Sequence, residues 1–172
     1  VKSWAHPDWI YESETNINKY PLMRRMFYDR GLDTPFTMWF DDDSFLKWDA
    51  PTVSHSFLQT VRDKMQDADM LGSKYTMNWS GNQRAFVRAQ PWHRGLPLPS
   101  KMSFVTGGWW TMRTECLYRF DYPWLDLDHN GGDSMLGVCA EQHELRVKQF
   151  NEGLAINADA DGRESKAKRR GT

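Results

Sequence analysis

The sequence of 172 residues contains only two cysteines, Cys116 and Cys139. They lie in separate segments, form no CxxC motif and show no Cys/His spacing typical of a metal site. This content excludes a disulfide scaffold. We expect two reduced thiols, with one disulfide between them as the alternative.

Long apolar runs are also missing from the sequence. No stretch approaches the roughly 18–20 apolar residues that a membrane-spanning helix needs. The first residues, VKSWAHPDWIYESE, do not combine a charged stretch with an apolar core as a signal peptide does. These two absences predict a cytoplasmic protein.

An excess of charge of one sign is the third absence. The chain has 22 basic and 23 acidic residues and a net charge of −1, which argues against a dedicated nucleic-acid coat. It is 40% hydrophobic and 26% charged, as ordinary globular domains are, which excludes collagen and wholesale disorder. The length predicts about one domain.

Aromatic residues are what the sequence has in excess. Nine tryptophans, six tyrosines and nine phenylalanines occur in a chain whose mean hydropathy is only −0.74. Large flat rings pack cores, but they also stack on sugars and bases. The rings therefore raise two possibilities, a core and a binding surface.

Hydrophobic periodicity and turn residues predict alternating helices and strands, which favours a single α/β domain over residues 1–157. Aromatic and β-branched runs indicate the strands, and cap residues with helical spacing indicate the helices. From residue 158 the chain is polar and basic, which predicts a disordered tail. The predicted strands are 36–40, 70–78, 84–90, 104–113 and 145–150, and the predicted helices are 19–30, 55–69, 114–120 and 132–144.

Three consecutive carboxylates, Asp41, Asp42 and Asp43, directly follow the apolar strand FTMWF. They repel one another at the end of a buried strand unless a cation neutralises them. Oxygen ligands of this kind suit Mg²⁺, Mn²⁺ or Ca²⁺. Strand alternation sends Asp41 and Asp43 to the same side, where they can share a metal ion. The alternative is a solvated acidic turn.

A second acidic position follows two glycines in the segment DHNGGDSMLG. Asp133 lies at the start of a predicted helix, where the helix dipole favours a negative charge. A carboxylate there that faces a metal site is a natural general base. The alternative is that Asp133 only caps the helix.

A third element is the predicted strand FVTGGWW, which carries Gly107, Gly108, Trp109 and Trp110. The paired glycines leave the backbone open to close approach, and the rings stand beside it. Such a corner can hold a sugar ring or a base. The alternative is that Trp109 and Trp110 pack in the core.

In their order and spacing, these segments resemble the GT-A-fold glycosyltransferases of the family-2-like or fringe/galactosyltransferase-like branches. The matching pieces are MWFDDDSF, FVTGGWW, GGDSMLG and LRVKQF. The stretch from Asn18-Lys19 to Phe27-Tyr28 looks like the helix that precedes the Asp-x-Asp strand. The resemblance covers roughly residues 10–157 and implies a mixed sheet flanked by helices.

The resemblance also implies a reaction. A divalent ion, Mn²⁺ or Mg²⁺, would bridge the diphosphate of a nucleotide-sugar donor, a UDP-sugar above all. Asp43 would coordinate the metal with Asp41, which also assists at the donor. Asp133 would be the catalytic base of an inverting transfer to an acceptor hydroxyl. The residues that would border the donor are Asp41, Asp42, Gly107, Gly108 and Trp109.

The chain departs from the family pattern at two places. The family has several βα segments before the Asp-x-Asp strand, whereas here the motif begins at residue 41. Either a preceding segment or a second subunit completes the nucleotide site, or the protein is a reduced member. Gly132 stands where the usual Glu precedes the base, and no histidine follows His143, so His143 and His129 are weak candidates for a metal ligand.

The acceptor is open: a glycan, a lipid carrier, a protein or a modified nucleobase. Residues 163–170 contain five basic residues and one Glu, and such a tail can hold a phosphate-rich acceptor or simply aid solubility. Two other functions compete with sugar transfer. One is a non-catalytic, Trp-rich module that binds carbohydrate or nucleic acid, and the other is a metal-dependent phosphoesterase.

Overall fold

A computed structural model describes residues 19–41, 44–46, 51–124 and 132–155, without the side chains of residues 51–55 and 155. The helices are α1 (Lys19–Arg24), α2 (Pro51–Lys64), α3 (Gln83–Ala89), α4 (Thr114–Phe120) and α5 (Gly132–Gln142), and a π-helical turn, Arg25–Asp29, continues α1. The strands are β1 (Phe36–Phe40), β2 (Phe45–Leu46), β3 (Met70–Met77), β4 (Met102–Arg113), β5 (Val147–Gln149) and β6 (Leu154–Ala155).

The main sheet has four strands in the order β1-β4-β3-β5. Both neighbours of β4 run antiparallel to it, whereas β5 runs parallel to β3. The short strands β2 and β6 form a separate antiparallel pair. The predicted mixed α/β content is therefore confirmed. Within the described part of the chain, no helix is long and apolar enough to span a membrane.

Most of the predicted elements are found, some with moved ends. Strand 36–40 and helix 114–120 have the predicted bounds, whereas the helix predicted over 55–69 is Pro51–Lys64. The helix predicted over 19–30 divides into α1 and the π-helical turn. The predicted helix 132–144 ends at Gln142, and the predicted strand 145–150 is Val147–Gln149.

The strand predicted over 84–90 is wrong, because residues 84–89 belong to helix α3 and Gln90 is its C-cap. A short apolar run such as Phe86-Val87 does not by itself distinguish a strand from a helix. At the start of the helix, the side chain of Gln83 accepts a hydrogen bond from the backbone N–H of Ser80 at 2.7 Å, which closes the turn that leads into it. The two-residue strands β2 and β6 were not predicted.

Apolar side chains cover both faces of the main sheet. Neighbouring residues of a strand point to opposite faces, and in β4 both Trp109 and Trp110 are buried. Trp110 belongs to the cluster that contains Met23, Phe27 and Leu136, whereas Trp109 packs with rings from α2 and the end of β5. The sheet is therefore an internal layer.

Strand β4 bulges out where it passes the end of β1. Trp110 of β4 pairs with Gly72 of β3, and Val105 pairs with Lys74, so residues 106–109 of β4 lie opposite Ser73 alone. A bulge bends its strand and re-aims the residues in it. Here it displaces the Gly107-Gly108 backbone at the edge of the sheet where β1 ends.

Helix α5 lies directly on β4. A Cβ atom at Gly137 would come within 2.5 Å of the Cα atom of Phe104 and of the carbonyl oxygen of Ser103. The helix backbone therefore contacts the strand backbone with no side chain between them. This contact brings the N-terminus of α5 to the bulge in β4.

Candidate functional site

The site begins at Asp41, the residue after β1. Its backbone N–H donates a hydrogen bond to the carbonyl oxygen of Gly108 at 2.9 Å, which continues the β1-β4 pairing by one residue. Its carboxylate accepts a hydrogen bond at 2.6 Å from the indole N–H of Trp39, two residues earlier on the same strand. The carboxylate is thus fixed at the sheet edge by its own strand.

The ammonium group of Lys19 neutralises Asp41. Lys19 Nζ lies 2.7 Å from Oδ1 and 2.8 Å from Oδ2 of Asp41. The same Nζ donates a hydrogen bond at 3.1 Å to the carbonyl oxygen of Gly107 in the bulge. One cation therefore binds two oxygen-bearing groups, one from the end of β1 and one from β4.

Asp133 binds the backbone of the same residue, Gly107, through its N–H group. Its Oδ2 accepts a hydrogen bond from the N–H of Gly107 at 3.2 Å, and its Oδ1 accepts one from the N–H of Ser134 at 2.9 Å. Asp133 lies in the first turn of α5, where the helix dipole also favours an anion. Gly107 thus links two carboxylates, Asp133 directly and Asp41 through Lys19.

The absence of a side chain at residue 107 is what allows this approach. A Cβ atom there would lie 3.0 Å from Lys19 Nζ and 3.5 Å from the Cβ atom of Asp133. Both neighbours are groups of the site itself. Glycine at this position therefore admits the ammonium and the carboxylate to the backbone of β4.

The first turn of α1 also anchors the start of α5. The hydroxyl of Tyr20 accepts a hydrogen bond from the N–H of Gly132 at 3.0 Å. Burial, and then the negative charge of Asp133, raise the pKa of Tyr20 to about 12. Burial likewise raises the pKa of the adjacent Tyr122 well above its usual value. Both phenols are therefore neutral at physiological pH, and the charges of the described site are Lys19, Asp41 and Asp133.

The charged groups of the site are mostly buried, but solvent still reaches each of them. The side chain of Lys19 is 20% exposed and that of Asp41 is 19% exposed, and Asp133 is also partly exposed. Fully buried ion pairs exclude ligands, and fully exposed ones are loosely held. This site is ordered by its hydrogen bonds and still open to solvent.

Three of the residues proposed from the sequence therefore meet: Asp41, Gly107 and Asp133. Gly108 contributes its carbonyl oxygen to the backbone of Asp41. Asp42 and Asp43 lie outside the described residues, as do His129 and the basic tail. His143 lies elsewhere, where its Nε2 is 2.9 Å from the carbonyl oxygen of Trp92.

Trp109 is placed differently from the sugar-binding expectation. Its side chain is fully buried and makes edge contacts with the rings of Phe40, Phe57 and Phe150. Core packing, the alternative interpretation, describes it in this structure. Trp110 and Trp124 are buried as well, so Trp39 is the ring of these four that contacts the site.

The donor atoms fit a divalent cation by their chemistry. The Asp41 carboxylate and the Gly107 carbonyl are hard oxygen ligands, and both already bind one cation, the Lys19 ammonium. The buried hydroxyl of Thr106, next to Gly107, has no hydrogen-bond partner in the structure. Among the described residues, no three His, Cys, Asp or Glu side chains cluster as a metal site, so residues beyond Asp41 must complete it.

Lys19 is the site residue that sequence reasoning missed. Three adjacent carboxylates predict a neighbouring cation, and an ammonium group satisfies that requirement as well as a metal ion does. The lysine that supplies it stands 22 positions earlier, at the start of the helix that the resemblance places before the acidic strand.

Comparison with known proteins adds no identification. No model of a protein family matches the chain, and no curated protein matches it either.

Proposed function

We propose that the protein is a metal-dependent glycosyltransferase that moves a sugar from a nucleotide-sugar, a UDP-sugar above all, to an acceptor hydroxyl. The observation that carries the proposal is that Asp133 directly, and Asp41 through Lys19, are both tied to the backbone of Gly107. These residues come from three segments that are distant in sequence. A solvated acidic turn and an isolated helix cap would not require that meeting.

Asp133 is the general base of the proposed reaction. Its carboxylate is held by two backbone N–H groups, so its position is defined before a substrate arrives. Partial exposure leaves it accessible to an acceptor hydroxyl. Removing the proton of that hydroxyl as its oxygen attacks the anomeric carbon is worth about 10²–10⁴-fold in rate for a well-placed base. Attack from the face opposite the leaving group gives inversion.

Asp41 and Asp43 would hold the metal ion in this proposal. A bound Mn²⁺ or Mg²⁺ supplies Lewis-acid stabilisation of the departing diphosphate. The role of Asp41 is to present a fixed carboxylate, which its hydrogen bond from Trp39 and its backbone bond to Gly108 provide. The carbonyl oxygen of Gly107 is a second hard oxygen at the same place.

The donor sugar would lie between these two carboxylates, beside the displaced backbone of β4. The Gly107-Gly108 peptides lack side chains and so permit close approach. The partly exposed ring of Trp39 lies next to Asp41 and supplies an apolar wall. Holding donor and acceptor in line at such a corner supplies much of the remaining acceleration.

Asp133→Asn tests the proposed chemistry, because it keeps the size and an acceptor oxygen but cannot take a proton. We expect metal-dependent transfer or hydrolysis of the donor to fall by about 10²–10⁴-fold while the folded state is retained. The matched control is Asp33→Asn, which removes an exposed carboxylate away from the site. The measurement is UDP release from UDP-sugars with and without Mn²⁺.

Equal activity of Asp133→Asn and the wild type would exclude Asp133 as the general base. Release of inorganic phosphate without sugar transfer would instead indicate the phosphoesterase. Among the described tryptophans, Trp92, Trp109, Trp110 and Trp124 are buried, which leaves the partly exposed Trp39 and Trp79 as rings that a Trp-rich binding module could use.

A further inference from the structure

The proposed chemistry leaves the ammonium group of Lys19 without a task, although it occupies the centre of the site. It contacts both oxygens of Asp41 and the carbonyl oxygen of Gly107. These are the hard oxygen atoms that the described part of the site offers to a divalent ion. The lysine and the metal ion therefore require the same ligands.

A divalent ion and an ammonium group cannot share one carboxylate at contact distance without strong repulsion. Two like charges a few ångströms apart repel, and a partly desolvated site screens them less than bulk water does. Binding of the metal at Asp41 must therefore break the Lys19–Asp41 ion pair and move the ammonium away.

We infer that Lys19 is a built-in competitor of the divalent ion for Asp41 and so weakens metal binding to the ligand-free site. The inference rests on the proposed function, since that function places the metal at Asp41. The stem of Lys19 has four flexible carbons, and its side chain is 20% exposed, so the ammonium has a route out of the site. Lys19 is thus a positioning residue that acts through Asp41.

The rest of α1 stays in place when the ammonium leaves. Tyr20 binds the N–H of Gly132, and the side chains of Met23 and Phe27 are buried in the core. Displacement of Lys19 therefore costs an ion pair and one hydrogen bond and leaves the helix packed. A competitor of this kind lowers metal affinity without closing the site.

Lys19→Met tests the competition, because it keeps the length of the side chain and removes its charge. We expect Mn²⁺, titrated alone and followed by electron paramagnetic resonance, to bind Lys19→Met at least tenfold more tightly than wild type. Mn²⁺ should also raise the Tm of this variant more than that of the wild type. Lys19→Gln gives a second uncharged variant should Lys19→Met fold poorly.

Three control variants isolate the charge of Lys19 and its partner Asp41. Lys101→Met removes an exposed lysine elsewhere and should leave the Mn²⁺ affinity unchanged. Lys19→Arg keeps the positive charge and should keep the wild-type affinity. In the double variant Lys19→Met/Asp41→Asn the gain should disappear, because the carboxylate for which the two cations compete is gone.

Mn²⁺ affinity that is unchanged or lower in both uncharged Lys19 variants overturns the inference. A gain in Mn²⁺ affinity that persists in the double variant Lys19→Met/Asp41→Asn also overturns it. The proposed function fails separately: tighter Mn²⁺ binding by Lys19→Met in a protein that never uses a nucleotide-sugar keeps the competition and removes the glycosyltransferase. Donor turnover combined with an unchanged Mn²⁺ affinity of Lys19→Met would keep the glycosyltransferase and remove the competition.

Discussion

The backbone of a single residue, Gly107, connects the two halves of the candidate site. Its carbonyl oxygen binds Lys19 and its N–H binds Asp133. The neighbours that a side chain would meet at residues 107 and 132 differ in kind. At 107 the nearest atom is the end of a flexible lysine, whereas at 132 it is the hydroxyl oxygen of the buried Tyr20, followed by atoms of its ring.

This difference predicts that alanine at residue 132 destabilises the fold more than alanine at residue 107 does. A Cβ atom at Gly132 would lie 2.2 Å from the hydroxyl oxygen and 2.3 Å from Cζ of Tyr20, so the buried ring must move. We expect Gly132→Ala to lower the free energy of unfolding by about 1–3 kcal/mol. Gly107→Ala should cost less than about 1 kcal/mol, because the Lys19 ammonium can yield.

Urea denaturation gives both stabilities, and Mn²⁺ binding gives the functional comparison. Gly107→Ala pushes Lys19 away from the bulge, so we expect it to alter Mn²⁺ affinity at nearly unchanged stability. Comparable destabilisation by the two substitutions would contradict the placement of Lys19 and Tyr20 described above.

At the scale of elements, a cluster of charges ties the ends of three strands together. Asp69, just before β3, accepts hydrogen bonds from Nε of Arg113 at 3.0 Å and from Nε and Nη2 of Arg146 at 3.1 and 2.9 Å. Arg113 ends β4 and Arg146 precedes β5. The hydrogen bonds from Arg146, above all, hold the pKa of Asp69 well below its usual range.

The low pKa of Asp69 predicts how stability depends on pH. A carboxyl group whose pKa is lower in the folded state stabilises the fold above its unfolded pKa of about 3.9. This contribution is lost as the pH falls through the folded pKa. Asp69→Asn should therefore lower the free energy of unfolding by about 1–3 kcal/mol at neutral pH, and the difference from wild type should shrink below about pH 4.

Denaturant unfolding of both proteins at several pH values measures this difference. Asp67→Asn is the matched control, because Asp67 pairs with Lys148 at an exposed position and should matter much less. A loss for Asp69→Asn that stays constant down to pH 2 would contradict the assigned role.

The elements that the sequence predicted well are those with a local signal. Aromatic and β-branched residues mark β1, and the Arg113-Thr114 boundary separates β4 from α4 where predicted. Residues 84–90 were predicted as a strand because a short apolar run such as Phe86-Val87 does not distinguish a strand from a helix. The Gly107-Gly108 pair signals an irregular strand, but the position of the bulge opposite Ser73 depends on the register between two strands that are distant in sequence.

At the scale of the whole molecule, most of the tryptophans that the structure describes lie in the core, since four of these six are buried. Trp109 and Trp110 point to opposite faces of β4, and both are buried because both faces of the sheet are covered. Composition and alternation do not distinguish a ring in a covered sheet from a ring in a cleft. Coverage depends on where α1, α2 and α5 pack, which no local pattern encodes.

The candidate site was predictable where charge dictated it. Asp41 and Asp133 were identified because each is an acidic residue at the junction of an apolar element, and the structure connects Asp133 directly and Asp41 through Lys19 to the backbone of Gly107. Lys19 was missed because a cation can neutralise an acidic strand end from any part of the chain. The family resemblance supplied the order of the segments, and the function that it implies stays a proposal.

We propose that this site binds a nucleotide-sugar together with a divalent ion. A thermal-shift panel of UDP-, GDP- and TDP-sugars, each with and without Mn²⁺, is the test, because a ligand that binds only the folded state raises Tm. We expect a rise in Tm that requires both Mn²⁺ and one class of nucleotide-sugar, and that is absent in Asp41→Asn. No shift with any pair, or a shift with sugar alone, would rule out this binding.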